Sequence, residues 1–560
     1  MNNATGFGPV LGTDSLGRVL VTSKEAGAIK TDKKRQVGMF YFVWCGTDSG
    51  HRHEPAIPEL ILKEHPEAAF DEKHPAWTNK TGEYYHWGEP FYGFYFSNDE
   101  WVIRKHMEML TLAGIDFLFF DTTNANYYER TTRLVMKVLH EFNEQGWNAP
   151  KVMYYTNTKS GQTIQGIYEN IYKKNVYPDT WFYVDGKPAI IGRPNDCSDE
   201  VKEFFSVQQA QWPAFEPDLE GGWPWMDFRR PQKKYERADG THSVVNVAVA
   251  QHPQLWMGDS LMYGEKGNWG RSFHHGVHEQ DNDPNAILYG YNVAEEWEVA
   301  RELDPDYVLV TGWNEWIAGK WDRPEPRQGN RVCNFVDLAS PEYSRDMDLM
   351  RGGYFDNYYM QLISDVRKYK GCEEIPVHTA KTVEINKDFH QWDNVEISYR
   401  NFDGAINRCA EGYGSKIYTN YTMRNNIVES KVCADSENVY FYVRASRTIT
   451  PEFSEGSWMN LFIKANGKDF VANRKVIDRN TTTLVCGEFD GETVGEISYV
   501  CENDQMHLAI PRKMLGLDQG SFEFMFKWGD STEKFTSVED FYENGSVAPL
   551  GRVYYPFKSE

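Results

Sequence analysis

Tyr307-Val-Leu-Val-Thr-Gly-Trp-Asn-Glu-Trp316 is a short apolar run that ends in two tryptophans flanking an amide and a carboxylate. The run Tyr307 to Val310 reads as a strand buried on both faces. Such strands belong to α/β folds, whose active sites gather beyond the carboxyl ends of the strands. Glu315 stands where such a fold places an acid, base or nucleophile. Trp313 and Trp316 offer flat apolar faces suited to the C–H face of a sugar ring. Asn314 can both donate to and accept from hydroxyls. A paired core carboxylate is the alternative, but Glu is rarely fully buried without a partner or a task.

Upstream, Gly38–Val43, Ile115–Phe120, Lys151–Tyr155, Ala189–Ile191, Ser206–Ala210 and Val244–Ala250 read as further buried strands, with helical patterns between several of them. Strand–helix alternation over roughly 330 residues implies a parallel sheet with covering helices. Length and strand number favour an α/β fold of the (β/α)8 TIM-barrel type over residues 37–371, with an eighth strand sought near Ile287–Tyr289. Residues 1–36 read as a loop-rich extension packing on that barrel. Two places share a local grammar. Ser97-Asn-Asp-Glu100 reads as a capping box opening a helix through Ala113, followed by a strand and Asp121-Thr-Thr-Asn124. Asn292 with Glu295 opens another, through Leu303, before the strand that leads to Glu315. In a parallel barrel both exits open on one face, which puts Asp121 and Glu315 in position to share a cleft. Ser340–Lys370 reads as a last long helical segment.

After Gly371-Cys-Glu-Glu-Ile-Pro376 the period becomes two. Val439, Phe441 and Val443 alternate with Tyr440 and Tyr442. Phe522, Phe524, Phe526 and Trp528 alternate with Glu523, Met525 and Lys527. Asn466-Gly467 and Asp490-Gly491 punctuate the runs as turns. An all-β sandwich over residues 377–556 follows.

Hydrophobic residues make up 41% and charged residues 25%, the balance of an ordinary globular chain. The net charge of −23 gives no basic footprint for nucleic acid or an anionic membrane. No run of ~18 apolar residues suggests a membrane span. The first ten residues lack the pattern of a signal peptide; the location is open, periplasmic or extracellular if a leader precedes the numbering and cytoplasmic otherwise. The expected state is a monomer or small homo-oligomer. The eight cysteines show no zinc spacing and read mostly as free thiols.

Glycosidic bond hydrolysis usually needs two carboxyl groups flanking the bond, one protonated and one ionised. Glu315 is the first candidate and Asp121 the second; as a turn carboxylate Asp121 has an equally ordinary explanation. Asp227, Glu295, Glu296, Asp322 and Asp346 are further carboxylates to weigh, with Arg345–Asp346 read as a structural ion pair. Trp44, His86, Trp87, Asn124, Tyr155 and His252 lie beyond other strand exits and join Trp313, Asn314 and Trp316 as candidate sugar contacts. His51, His53 and Glu54, and His274, His275 and His278, are local clusters. His274 and His278 would share a helix face, but no metalloprotease, phosphate-loop or dinucleotide motif accompanies them. No metal and no cofactor is expected.

The stretch Tyr307–Trp316 resembles glycoside hydrolase family 99 and the related family 71/99-like barrels, which carry a Trp/Phe-Asn-Glu-Trp motif after a late strand. His86-Trp-Gly-Glu-Pro-Phe-Tyr-Gly-Phe-Tyr95, Asp99-Glu-Trp-Val102, Phe120-Asp-Thr-Thr-Asn124, Pro341-Glu-Tyr-Ser-Arg-Asp346 and Asp356-Asn-Tyr-Tyr359 look like bacterial members of this group. The resemblance implies endo-acting, retaining α-mannosidase chemistry through two glutamates three residues apart. Glu315 matches the first and Asn314 a sugar-contacting amide, but the second position holds Ala318. Residues 377–556 are similar to carbohydrate-binding module family 9, through Trp392-Asp-Asn-Val395 and Ala434–Val443. The expectation is a glycoside hydrolase acting on a poly- or oligosaccharide through Glu315 and Asp121. The alternative is a glycan-binding protein on the same fold, without catalysis.

Overall fold

The structure is a computed structural model of the chain. It describes residues 8–46, 53–78, 83–213, 217–253, 268–322, 332–335, 340–450, 457–487, 491–517, 520–531 and 537–560. Eight parallel strands form a nearly closed barrel: β1 (Gln36–Tyr41), β2 (Phe117–Thr122), β3 (Lys151–Thr156), β4 (Lys187–Gly192), β5 (Ser206–Gln211), β6 (Gly222–Pro224), β7 (Val244–Ala248) and β8 (Tyr307–Thr311). Their order is β7-β8-β1-β2-β3-β4-β5-β6. Between β6 and β7 no ladder forms among the described residues. The Asn246 side chain bridges that seam instead, donating to the Trp225 carbonyl and accepting from the Asp227 N–H, both at 3.0 Å.

Alternation along each strand makes two layers of core. Phe40, Phe42, Phe117, Phe119, Tyr155, Trp223 and Leu309 fill the barrel. Met39, Tyr41, Leu118, Phe120, Tyr154, Val308 and Val310 face the helices. Burying each such side chain stabilises the fold by about 1.5–3 kcal/mol. Gly38 is small for a reason: a Cβ there would stand 2.2 Å from the Phe117 ring. The helices that cover the barrel are α1 (Glu100–Leu112), α2 (Glu129–Glu144), α3 (Ser160–Ile167), α4 (Asp199–Phe204), α5 (Tyr291–Leu303) and α6 (Asn357–Lys370). Among the described residues none follows β5 or β6, and none is long and apolar enough to cross a membrane.

Several local expectations need correction. The eighth strand is Gly222–Pro224, and Ala286–Leu288 is a 3-10 turn. The cap of α1 is Asp99, which accepts from the Trp101 and Val102 N–H groups, while Ser97 Oγ accepts from the Cys45 N–H. Gly290, at φ 66°, starts α5; Asn292 donates to the carbonyls of Ala248 and Val249 instead. The last helix begins only at Asn357. The stretch before it is irregular, and it carries Arg345, Asp346 and Asp348.

The C-terminal region is one twelve-stranded, mostly antiparallel sheet that curls over its own core, with Phe441, Leu461, Phe524, Phe526, Trp528 and Tyr555 inside. Asn466-Gly467 makes the tight turn between Asn460–Ala465 and Lys468–Asp478, both residues at positive φ. Asp490 lies outside the described residues. Lys527, on the face opposite Phe526 and Trp528, is fully buried between the Phe541 and Tyr554 rings, its Nζ 4.3 and 4.7 Å from their centroids. It donates to the Gly551 carbonyl. Burial, with Lys464 and Arg552 adding to it, holds its amine well below the ordinary lysine range. A lysine that is neutral when folded and protonated when unfolded makes stability rise with pH until the unfolded lysine titrates, at about 10.4. Lys527→Met should flatten that rise in unfolding measured from neutral to alkaline pH.

The two regions interlock. Arg552 pairs with Asp356 at 2.8 Å, and Phe142 stacks on Phe402 with centroids 3.8 Å apart. A hairpin of Arg408–Glu411 and Ile417–Asn420 reaches back onto the barrel. Its Arg408 pairs with Asp99 at 2.7 Å, both side chains nearly inaccessible. The N-terminal extension lies under the barrel, where Arg367 donates to the carbonyls of Val10 and Val21. All eight cysteines are free thiols.

Candidate active site

The mouth of the barrel is built at the exits of β8, β1 and β2, three adjacent strands. Past β8 the chain turns through Gly312 and is tied to β1 by Asn314, whose Oδ1 accepts from the Phe42 N–H at 2.9 Å while its Nδ2 donates to the Phe42 carbonyl at 3.0 Å. This delivers Glu315 to the mouth. Its Oε2 accepts from Arg345 Nη2 at 2.6 Å, and its N–H donates to Asp346 Oδ1 at 2.9 Å. Arg345 therefore pairs with Glu315 and not with its neighbour Asp346, correcting the ion pair expected from sequence. The guanidinium also lies over the Trp225 ring, 4.9 Å from the centroid.

Asp121 ends β2 on the same side. Its Oδ2 accepts from the Trp44 indole N–H at 2.9 Å, and its Oδ1 accepts from the Thr123 N–H at 3.1 Å and the Thr123 hydroxyl at 2.8 Å. Burial raises the Asp121 carboxyl above the ordinary carboxylate range, against these hydrogen bonds and the charge of Arg345, which lower it. Glu315 and Asp121 are each 6% exposed. Tyr84 completes the cluster. Its ring stands 5.5 Å from that of Trp44, and burial followed by the charges of Cys45, Glu315 and Asp121 raises its phenol. Arg345 and Tyr84 thus each sense both carboxylates, which puts the two strand exits near one another.

The surrounding ionisable groups are tuned by burial. Asp346 is pushed up to about 7, although the Glu315 N–H and the guanidiniums of Arg345 and Arg271 pull it down. His252 is held down at about 3 by burial and by Arg345, and its Nε2 lies 3.1 Å from the Tyr343 carbonyl. His252 Nδ1 and Trp225 Nε1 are buried polar atoms with no hydrogen-bond partner among the described residues.

Other candidate contacts lie elsewhere. Trp313 is fully buried and packs edge-on against His106 and Tyr359. Trp316 stacks on Trp87 with centroids 4.2 Å apart, both buried, and Trp87 donates to the Glu315 carbonyl at 2.6 Å. These three tryptophans brace the strand exit; none turns an open face to a ligand. Asn314 is occupied with Phe42 as described. Trp316 is further held by Asp348, which accepts its indole N–H at 2.9 Å and the Tyr95 hydroxyl at 2.8 Å. Tyr155 points into the barrel and donates to the Trp223 carbonyl at 2.9 Å. His86 is buried against Phe94, His53 and Tyr413. Asn124 is exposed, and Trp44, 9% exposed, lies between Asp121 and the Tyr84 ring.

The remaining carboxylates have other partners. Asp227 accepts from the backbone of Arg229 and Lys233. Glu295 pairs with Arg230 at 2.8 Å. Glu296, pushed up to about 8 by burial, lies behind β7 near Arg230 and Gln251. The side chain of Asp322, like all of His51, lies outside the described residues. His274 and His278 sit on the two arms of a hairpin turning at His275-Gly276, not on a helix. Ala318 pairs with Tyr85 in the strand Ile317–Asp322. Alternation puts it on the face of Tyr85 and Lys320, whereas Gly319 pairs with Tyr84 on the cleft side. A carboxylate at 318 would therefore point away from Glu315 in this fold.

Sequence reading missed Tyr84, Arg345 and Trp225 as site groups. For Tyr84 a signal was present: Glu83-Tyr84-Tyr85-His86 alternates as a strand, with one tyrosine on each face. A fourth missed group belongs to the C-terminal region. Tyr413, at the tip of the 408–420 hairpin, packs against His86 at 4.6 Å and against His53 and Phe96 at 4.9 Å.

No protein-family model matches the chain, and no curated protein matches it. Solved structures similar to it include the family GH99 endo-α-mannosidase from Bacteroides thetaiotaomicron, at 14% identity over 60% of this chain and 98% of that one, with a TM-score of 0.36. The same enzyme with bis-tris-propane gives 13% identity over 60% of this chain and 97% of that one, with a TM-score of 0.36. A glycoside hydrolase-like protein gives 12% identity over 60% of this chain and 96% of that one, with a TM-score of 0.27. The barrel assignment stands on the strand order itself.

Proposed function

We propose that the protein hydrolyses glycosidic bonds of a poly- or oligosaccharide at the C-terminal mouth of its barrel. What supports this reading is the pair Glu315 and Asp121, two carboxyl groups at nearby strand exits that both feel Arg345 and whose surroundings differ. Glu315 is paired with Arg345 at 2.6 Å, and Asp121 is raised by burial. Environments that push two carboxyl groups apart assign base and acid. Glu315 takes the base or nucleophile role and Asp121 the acid role. Their strands are separated by β1, so the exits stand about 10 Å apart, with Trp44 and Tyr84 between them. Trp44 supplies an apolar face. The Trp225 indole N–H and His252 Nδ1 supply polar atoms for hydroxyls.

One observation favours a second reading. Three hydrogen bonds already converge on Asp121, which suits a structural carboxylate and a glycan-binding protein without turnover. Incubating the full chain with a panel of oligosaccharides, α-mannosides included, separates the two. Release of new reducing ends supports hydrolysis. Calorimetric binding without release supports the binding protein.

Trp44→Phe tests the role of Asp121. Losing the indole N–H removes a bond that favours the ionised form, so the Asp121 carboxyl should rise further. If Asp121 is the acid, the basic limb of the pH–activity profile moves to higher pH. A shift of the acidic limb instead would make it the base, and no shift would remove it from catalysis.

A further inference from the structure

Away from the cleft, the segment after the short helix Pro58–Glu64 brings His65, Glu67 and His74 together on the surface. One ligand atom from each lies within 4.8 Å of the other two. Neither histidine belongs to the clusters weighed from sequence. From these residues we infer a divalent transition-metal site of the zinc class, with two imidazoles and one carboxylate as ligands and water completing the shell.

The distances carry the argument. His65 Nδ1 and His74 Nε2 each stand 3.3 Å from the same Glu67 Oε1. Charge-assisted N–H···O contacts run at about 2.7–2.9 Å, so both are long for direct hydrogen bonds. Ligand atoms around a tetrahedral zinc at 2.0–2.1 Å stand about 3.3 Å from one another. The scaffold is held by its own backbone: Ala68 N–H donates to the His65 carbonyl, Asp71 to Ala68, and His74 to Asp71. His65 and Glu67 are about half exposed or more, at 47% and 61% of their side chains, so a metal has access and His65 has room to close on it. Two nitrogen ligands select zinc, nickel or copper over magnesium and calcium. One bond must change. Ala76 N–H donates to His74 Nδ1 at 3.2 Å, and coordination through Nε2 moves the ring proton to Nδ1, so the half-buried Ala76 N–H turns to water.

The clamped segment supports the site from behind. Ala68 accepts from the Trp77 indole N–H, Ala69 from the Val332 N–H, and the Glu72 carbonyl from Lys320, which lies on the strand Ile317–Asp322 just after Glu315. A metal here would fix the turn on which that strand rests.

The test is calorimetric titration of ZnCl2 into the untagged, chelator-stripped full chain, followed by thermal unfolding with and without the metal. One tight equivalent and a raised Tm are expected. Glu67→Gln and His74→Ala should each weaken binding by more than the roughly 10–100-fold that changes in supporting groups bring, and His275→Ala should not. Zinc affinity unchanged in both ligand variants, no bound equivalent, or magnesium binding as tightly as zinc would each overturn the site.

Discussion

Glu315→Gln is expected to lower turnover of any glycan found to be cleaved by about 10²–10⁴-fold, the range that one positioned acid–base group supplies. Glutamine keeps the shape, and its amide oxygen can still accept from Arg345, so the loss isolates charge and nucleophilicity from geometry. Removing one partner of a buried ion pair costs about 3–5 kcal/mol when nothing replaces it. The retained acceptor should keep the cost for Glu315→Gln below that range, and unfolding measured beside turnover checks that the variant is intact. Glycan affinity should hold within a few-fold. Unchanged turnover would remove Glu315 from the mechanism.

Arg408→Ala should produce the largest loss of stability. Its guanidinium pairs with Asp99 at 2.7 Å, donates to the Tyr92 carbonyl at 2.9 Å, and lies between the Trp101 and Tyr418 rings at 5.1 and 4.7 Å. Truncation leaves Asp99 buried without its counter-charge, at a cost of about 3–5 kcal/mol. Asp99 also caps α1, so the damage should spread into the barrel. Two interlocked regions need not unfold in one step, so the decisive readout is amide hydrogen exchange. Residues 92–103 and the 408–420 hairpin should lose protection together. Protection unchanged in both would show that the pair contributes nothing to the interface.

Much of the fold was legible because most barrel strands are short apolar runs spaced by helical patterns. Seven of them could be read directly, whereas β6 could not. It spans only Gly222–Pro224, one ladder holds it, and glycine and proline sit inside it. Candidate chemistry could be read where polar groups follow a strand end, as at Asp121 and Glu315. Reading failed where a side chain's direction decides its use. Trp313, Trp316 and Asn314 are adjacent to Glu315 in sequence, yet the sharp exit from β8 turns them into the packing between α6, β1 and the Trp87 loop. Arg345 was assigned to Asp346 because nothing local shows that a 30-residue excursion returns it to Glu315.

Tyr413 has a consequence for how this protein can be divided. C-terminal β-sheet regions are often treated as cargo, exchangeable behind a linker. Here the tip of the C-terminal hairpin fills the back of the wall that carries His86, and His86 pairs with Ile317 two residues beyond Glu315. Grafting another module in place of the C-terminal region would leave three aromatic rings of that wall facing water and the strand behind Glu315 without its buttress. The smallest unit that keeps the surroundings of Glu315 intact is therefore both regions together.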